Sequence, residues 1–216
     1  MKTTFLHDFP PPRRFAYLTT LVPDNCCGSV SIMAIFEKFG LPYDPDFIVK
    51  ESRDGNATTE YPVSGSNILG SCLAMLKTGR VDVELYSDID FKTVELDPHE
   101  KVIADELLQQ KGFSYYRALL IDEILEKITD DCVPIMSFFR DGDLTKGHSS
   151  PLRGITNNQL LLPFFDPGYP NCNCDKETFV KTWWNEQTLH GCILVKRRLS
   201  ETANEEKLSG HPLNSN

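Results

Sequence analysis

The chain has 216 residues, 40% of them hydrophobic and 25% charged, an ordinary balance for one globular domain with a real core. Its formal net charge of −9 argues against a nucleic-acid partner, which would require a basic face; Arg13-Arg14 and Lys196-Arg197-Arg198 are short clusters that read as solvated charge. Nothing approaches the length of a membrane span, so no membrane partner is expected either.

In chain order, residues 1–14 read as an extended arm interrupted by Pro10-Pro11-Pro12. The N-terminus carries a charge but no apolar stretch of the kind a signal peptide needs, so a cytoplasmic location and mostly reduced cysteines are expected. The cysteines number seven, so at least one thiol is free or paired between chains. Arg14 to Val22 alternates loosely and predicts a first strand. Ile32, Ile35, Phe36 and Phe39 recur at helical spacing, predicting a buried helix from Cys27 to Phe39, stopped by Gly40 with Pro42 beyond it. The polar stretch Asp44 to Ser66 predicts a loop over a cleft. Asn67 to Lys77 predicts a second helix ended by Gly79, and Val81 to Tyr86 a strand. Residues 97–117 predict a further helix capped by Gly112, followed by an amphipathic helix over Ile121–Ile128. Pro134–Phe139 reads as a buried strand, and Gln159–Phe165 as another apolar run, the two separated by Gly147-His148-Ser149-Ser150. The tail from 200 to 216 is polar and lacks aromatics, which predicts disorder. The expected organisation is therefore an arm (1–14), one domain (15–199) and a tail (200–216). Helices followed by strands predict an α+β fold, with N-terminal helices packed on an antiparallel β-sheet and the site between them.

The chemistry starts at Cys26–Cys27. A thiol at the mouth of a helix sits where free N–H groups and the dipole favour negative charge, and the thiolate is the nucleophilic form. Downstream, His148 stands near the start of one strand and Asp166 at the end of the next, in Asp166-Pro167-Gly168. If those strands are antiparallel neighbours joined by a turn at Asn157-Asn158, base and orienting carboxylate lie side by side. The chain order is then Cys, His, Asp.

These segments together resemble the papain-like C39 peptidase and C39-like superfamily. Cys27-Gly28-Ser29-Val30 is similar to the family's Cys-Gly-Pro-Ala helix start, Gly147-His148 to its Gly-His strand, and Asp166-Pro167-Gly168 to its Asp-Pro-Gly turn. Val133-Pro134-Ile135-Met136 resembles the strand before the histidine loop, and Lys176–Trp184 the short closing helix. The resemblance runs from about residue 15 to 198 and implies a papain-like fold, a cysteine peptidase activity and catalytic Cys27, His148 and Asp166. It departs from the family at two places. The glutamine that usually precedes the nucleophile by about six residues is Leu21 here, leaving Asn25 as a candidate oxyanion donor beside the Cys27 N–H; the usual proline after Cys-Gly is Ser29. Cys27 is preferred to Cys26 as nucleophile because it precedes Gly28 and stands at the helix start.

Cys172 and Cys174, with His190 nearby, form no second pair at zinc spacing, so no metal is expected, and a loop lining the cleft is the reading for that segment. The chemistry requires no cofactor. The expected reaction is attack of Cys27 on an amide carbonyl, with His148 as base and then acid, through a thioester. Hydrolysis of a peptide or isopeptide bond in a peptide or protein substrate is the first reading. Transfer of the acyl group to an amine, or a non-catalytic peptide-binding cleft, are the alternatives.

Overall fold

The computed structural model of the chain describes residues 17, 18, 20, 21, 26–52, 68–88, 98–139, 147–162, 172–183 and 191–198. The arm, the tail, Asn25 and Asp166 lie outside the described residues.

Helix α1 (Cys27–Phe39) has the predicted bounds. Every residue from Gly28 to Phe36 is buried, so packing rather than propensity holds it. Gly40, with φ +65°, supplies the left-handed turn that ends it. The Gly40 N–H donates to Glu37 O and the Leu41 N–H to Phe36 O, the paired bonds of a Schellman stop. Before α1, Tyr17, Leu18 and Thr20 are helical, not extended as predicted. The Leu21 N–H donates to Leu18 O and the Thr20 hydroxyl to Tyr17 O, local turn bonds that replace a ladder, while Leu18 is fully buried.

Helix α2 (Pro45–Ser52) occupies the start of the segment predicted as a loop. Asp44 accepts N–H bonds from Asp46 (3.0 Å) and Phe47 (3.4 Å), Pro45 takes the first helical position, and Ile48 is fully buried. Helix α3 (Ile68–Lys77) is buried from Leu69 to Leu76. Its Gly70 packs on the end of α2 so closely that a Cβ would lie 2.9 Å from Ser52 O.

The main sheet has five strands in the order β2-β1-β8-β3-β4. They are β1 (Val81–Ser87), β2 (Phe113–Arg117), β3 (Cys132–Phe139), β4 (Gly147–Pro151) and β8 (Gly191–Arg197). β1 and β2 are parallel; every other pair is antiparallel. The helix predicted over 97–117 is instead α4 (Pro98–Leu107) followed by β2. Gly112 at φ +90° separates them, and aromatic Phe113, Tyr115 and Tyr116 suit a strand. β8 lies between β1 and β3 and is absent from the predicted elements. Its alternate residues serve two cores: Ile193 and Val195 join the cluster under α1, α3 and α4, whereas Cys192 and Leu194 join the one under Ile121, Ile124 and Phe179. Beyond its apolar run, Lys196 pairs with Glu84, and Arg198 Nε reaches Asp82 at 2.6 Å.

The second face carries α5 (Ile121–Glu126), α6 (Lys176–Trp183) and a three-stranded sheet, β5 (Gly154–Thr156), β6 (Gln159–Leu162) and β7 (Cys172–Asp175), in that order. Asn157 and Asn158 (φ +50° and +63°) form the two-residue hairpin turn, as that dipeptide suggests. The turn joins β5 to β6, however, and β4 belongs to the other sheet. Leu152 and Arg153 separate the strand that holds His148 from the hairpin. Cys172–Asp175, expected as a cleft loop, is a strand paired with β6. The architecture is α+β as expected, helices packed on a largely antiparallel sheet. No described helix is long and apolar enough to cross a membrane.

Candidate active site

α1 packs with its first turn against the outer edge of β4. On that strand, Ser149 stands opposite Ser137 of β3, with their hydroxyls 3.3 Å apart. The main-chain groups of Ser149 turn away from β3 toward α1. Its N–H donates to Cys27 Sγ at 3.3 Å, and its C=O accepts from the Ser31 hydroxyl at 3.1 Å. Ser149 therefore sits at a non-hydrogen-bonded position of the β3–β4 ladder, where side chains approach most closely. The edge that a sheet normally leaves open is occupied by the helix bearing the thiol.

This contact fixes the thiol one residue from His148, which is half-buried on β4 at the register position opposite Phe138. The side chains of His148 and Ser149 leave opposite faces of the strand. Cys27 is half-buried, whereas Cys26, the residue before the first helical turn, is 4% exposed and belongs to the core. Burial pushes the Cys27 thiol above its ordinary value. Hydrogen bonds from the Ser149 N–H, the Gly28 N–H and the Ser149 hydroxyl act in the opposite direction without overcoming it, and neighbouring Cys26 adds to the rise. The resting group is thus a neutral thiol already supplied with donors for a thiolate.

Ser29, where the resembled family has proline, is fully buried, with its hydroxyl 2.6 Å from the Ser52 hydroxyl. The departure ties the first turn of α1 to the end of α2. Leu21, at the usual glutamine position, is partly buried against the main core. Asn25 and Asp166 fall outside the described residues; Asp166 follows Leu162, the last residue of β6, by four positions (166 − 162). Asp175, at the end of β7, is a helix cap: it accepts from the Thr178 N–H at 3.0 Å, and such bonds hold its carboxyl below the usual range. Cys174 is a half-buried free thiol on β7. Among the described residues no group of three or more His, Cys, Asp or Glu side chains suits a metal ion. Ser31 and Ser149 were not singled out from the sequence. The signal for Ser31 was its i+4 spacing from Cys27 on one helix face; that for Ser149 was adjacency to His148.

No family model matches the chain, and no curated protein matches it. Among solved structures it is similar to the peptidase domain of Streptococcus ComA, a bifunctional ABC transporter involved in a quorum-sensing pathway. That similarity has 13% identity and a TM-score of 0.47, over 89% of this chain and 99% of that one. It is also similar to a double glycine motif protease from an AMS/PCAT transporter, solved with the leader peptide, at 11% identity and a TM-score of 0.48, over 90% and 95% of the two chains. Likenesses at these scores decide nothing about activity.

Proposed function

We propose that the chain is a cysteine peptidase or amidase that cleaves a peptide or isopeptide bond in a peptide or protein substrate. The observation that carries this reading is the 3.3 Å contact of Cys27 Sγ with the N–H of Ser149, next to His148, at the N-terminus of a buried helix. The N–H that covers the strand edge is also a donor that a thiolate on Cys27 would use.

In this reading His148 takes the Cys27 proton as the sulfur attacks the amide carbonyl, because burial keeps the resting thiol protonated. The C–S bond forms as the carbonyl π bond opens to an oxyanion. The Cys27 N–H, which α1 does not use internally, and Asn25 are the proposed donors to that oxyanion. His148 then gives its proton to the leaving amine and a thioester remains. Water, deprotonated by His148, releases the acid and restores the thiol. Asp166 accepts the second ring N–H and fixes the tautomer of the histidine.

The test is turnover of a peptide mixture, followed by mass spectrometry, with and without an added primary amine. Cys27→Ala and His148→Ala are expected to lower turnover by at least about 10³-fold, and Asp166→Asn by about 10²–10⁴-fold. Amide products formed only with the amine would make the chain an acyltransferase using the same thioester. Cleavage that survives Cys27→Ala removes the thiol from the reaction.

A further inference from the structure

Behind Cys27 lies a set of serine groups that the reaction above leaves unused. Ser31 stands one helical turn after Cys27 and is fully buried. Its hydroxyl is 2.8 Å from Cys27 O and 3.1 Å from Ser149 O. A single hydroxyl proton faces two carbonyls, so Ser31 couples the helix to the strand edge at the residue whose N–H meets the sulfur. In an extended strand the N–H and C=O of one residue leave on the same side, so holding one aims the other. Ser137 secures the side chain of the same residue, its hydroxyl 3.3 Å from that of Ser149.

We propose that Ser31 is a positioning residue for the Cys27 thiol: by holding the Ser149 carbonyl it keeps the Ser149 N–H on the sulfur and favours the thiolate. The inference rests on the reading of Cys27 as nucleophile. The Ser149 N–H is the first of the groups that draw the thiol down against the larger effect of burial. The titratable groups on the surrounding elements are Cys26 before α1, His148 on β4, Asp46, Lys50 and Glu51 on α2, and Cys72 and Lys77 on α3. Of these, Cys26 raises Cys27, and Lys77 is engaged with Glu51 at 2.8 Å.

Ser29 provides a matched control. It lies in the same helix, is as deeply buried, and bonds the Ser52 hydroxyl at the end of α2. The experiment is the rate of Cys27 alkylation by iodoacetamide from pH 6 to 10.5, read by peptide mass on the full chain. Ser31→Ala is expected to react about tenfold more slowly on the sloping limb, with the deficit shrinking as pH rises through the midpoint, so that the whole profile moves about one pH unit higher. Ser29→Ala should stay within about twofold of wild type, and Ser31→Thr should recover the wild-type profile, as hydroxyl retention requires. Equal slowing in both alanine variants, a deficit that persists at every pH, or no slowing at all would overturn the proposal. If Ser31→Ala does not fold, the Ser31→Thr and Ser31→Val pair, alike in shape and differing in the hydroxyl, repeats the comparison. Alkylation needs no substrate, so missing hydrolysis would defeat the peptidase reading and leave this one standing.

Discussion

Raising the pH should unfold this protein earlier than its lysines alone would. Five thiols, Cys27, Cys72, Cys132, Cys174 and Cys192, are held above their ordinary value of 9.0, each chiefly by burial. Cys132 is pushed to about 11, opposed in part by Lys196 and Lys127. The sign follows from linkage. These groups are neutral when folded and ionise more readily when unfolded, so their contribution is complete below pH 9 and is lost as pH rises toward the folded values. A tenfold difference in acidity between the folded and unfolded chain corresponds to about 1.4 kcal/mol, so Cys132 alone, moved from 9.0 to about 11, accounts for roughly 3 kcal/mol across that window. That is a large share of a typical stability of about 5–15 kcal/mol. Lys77 and Lys196 act with the same sign, because their carboxylate partners together outweigh the lowering effect of burial, and so does Tyr86, which burial raises; a variant is needed to separate these sources from the thiols. The assay is urea unfolding at pH 8, 9, 10 and 10.5 under a reductant, for wild type and Cys132→Ala. The wild type should lose stability steeply above pH 9, and the variant, though weaker at pH 8, should lose about 1 kcal/mol less per pH unit. Parallel curves for the two proteins would show that Cys132 ionises as easily in the fold as out of it, and the burial argument would fail.

Two further outcomes follow from the packing. In the native protein iodoacetamide should reach the half-buried Cys27 and Cys174 before Cys26, Cys72, Cys132 and Cys192, and the rate at Cys27 should climb about tenfold per pH unit from 6 to 8 without a plateau; peptide mapping reads both, and a rate independent of pH would mean a preformed thiolate instead of the buried neutral thiol. Gly70→Ala gains about 1 kcal/mol in helix propensity but forces a methyl to 2.9 Å from Ser52 O, a backbone atom, at a cost of about 1–3 kcal/mol. A melting temperature about 2–4 °C lower is expected, and a rise would show that α2 yields freely.

Legibility in the sequence followed physical scale. α1 was readable to the residue because an apolar stripe and a Gly40 stop both act within a few residues. The Asn157-Asn158 turn was readable for the same reason, but not its consequence: the sequence does not say which sheet a strand joins, and the expected neighbours, the His148 strand and β6, belong to different sheets. β8 was hidden because a strand buried on both faces has no alternation to detect, only the short run Cys192-Ile193-Leu194-Val195. β2 was lost to a helical reading of 97–117, although a glycine at 112 followed by Phe113, Tyr115 and Tyr116 was the strand signal. At the site, Cys27 and His148 were legible as residue types, whereas Ser31 and Ser149 were not. Their importance lies in main-chain groups that β4 has left over, and no side-chain motif records an unpaired carbonyl.

That leftover edge links the fold to the chemistry. β4 ends the main sheet, and an open edge exposes N–H and C=O groups that must be covered or hydrated. α1 begins with N–H groups that its own turns cannot use. Packing the start of α1 on the edge of β4 answers the first need through Ser31 and Cys27, and it places the thiol where both sets of donors converge. Stability and reactivity therefore depend on one contact. A change that loosens the helix from the strand should cost both together, whereas a change at Ser29 and Ser52, which fasten the same helix to α2 instead, should cost stability and leave the thiol's reactivity intact.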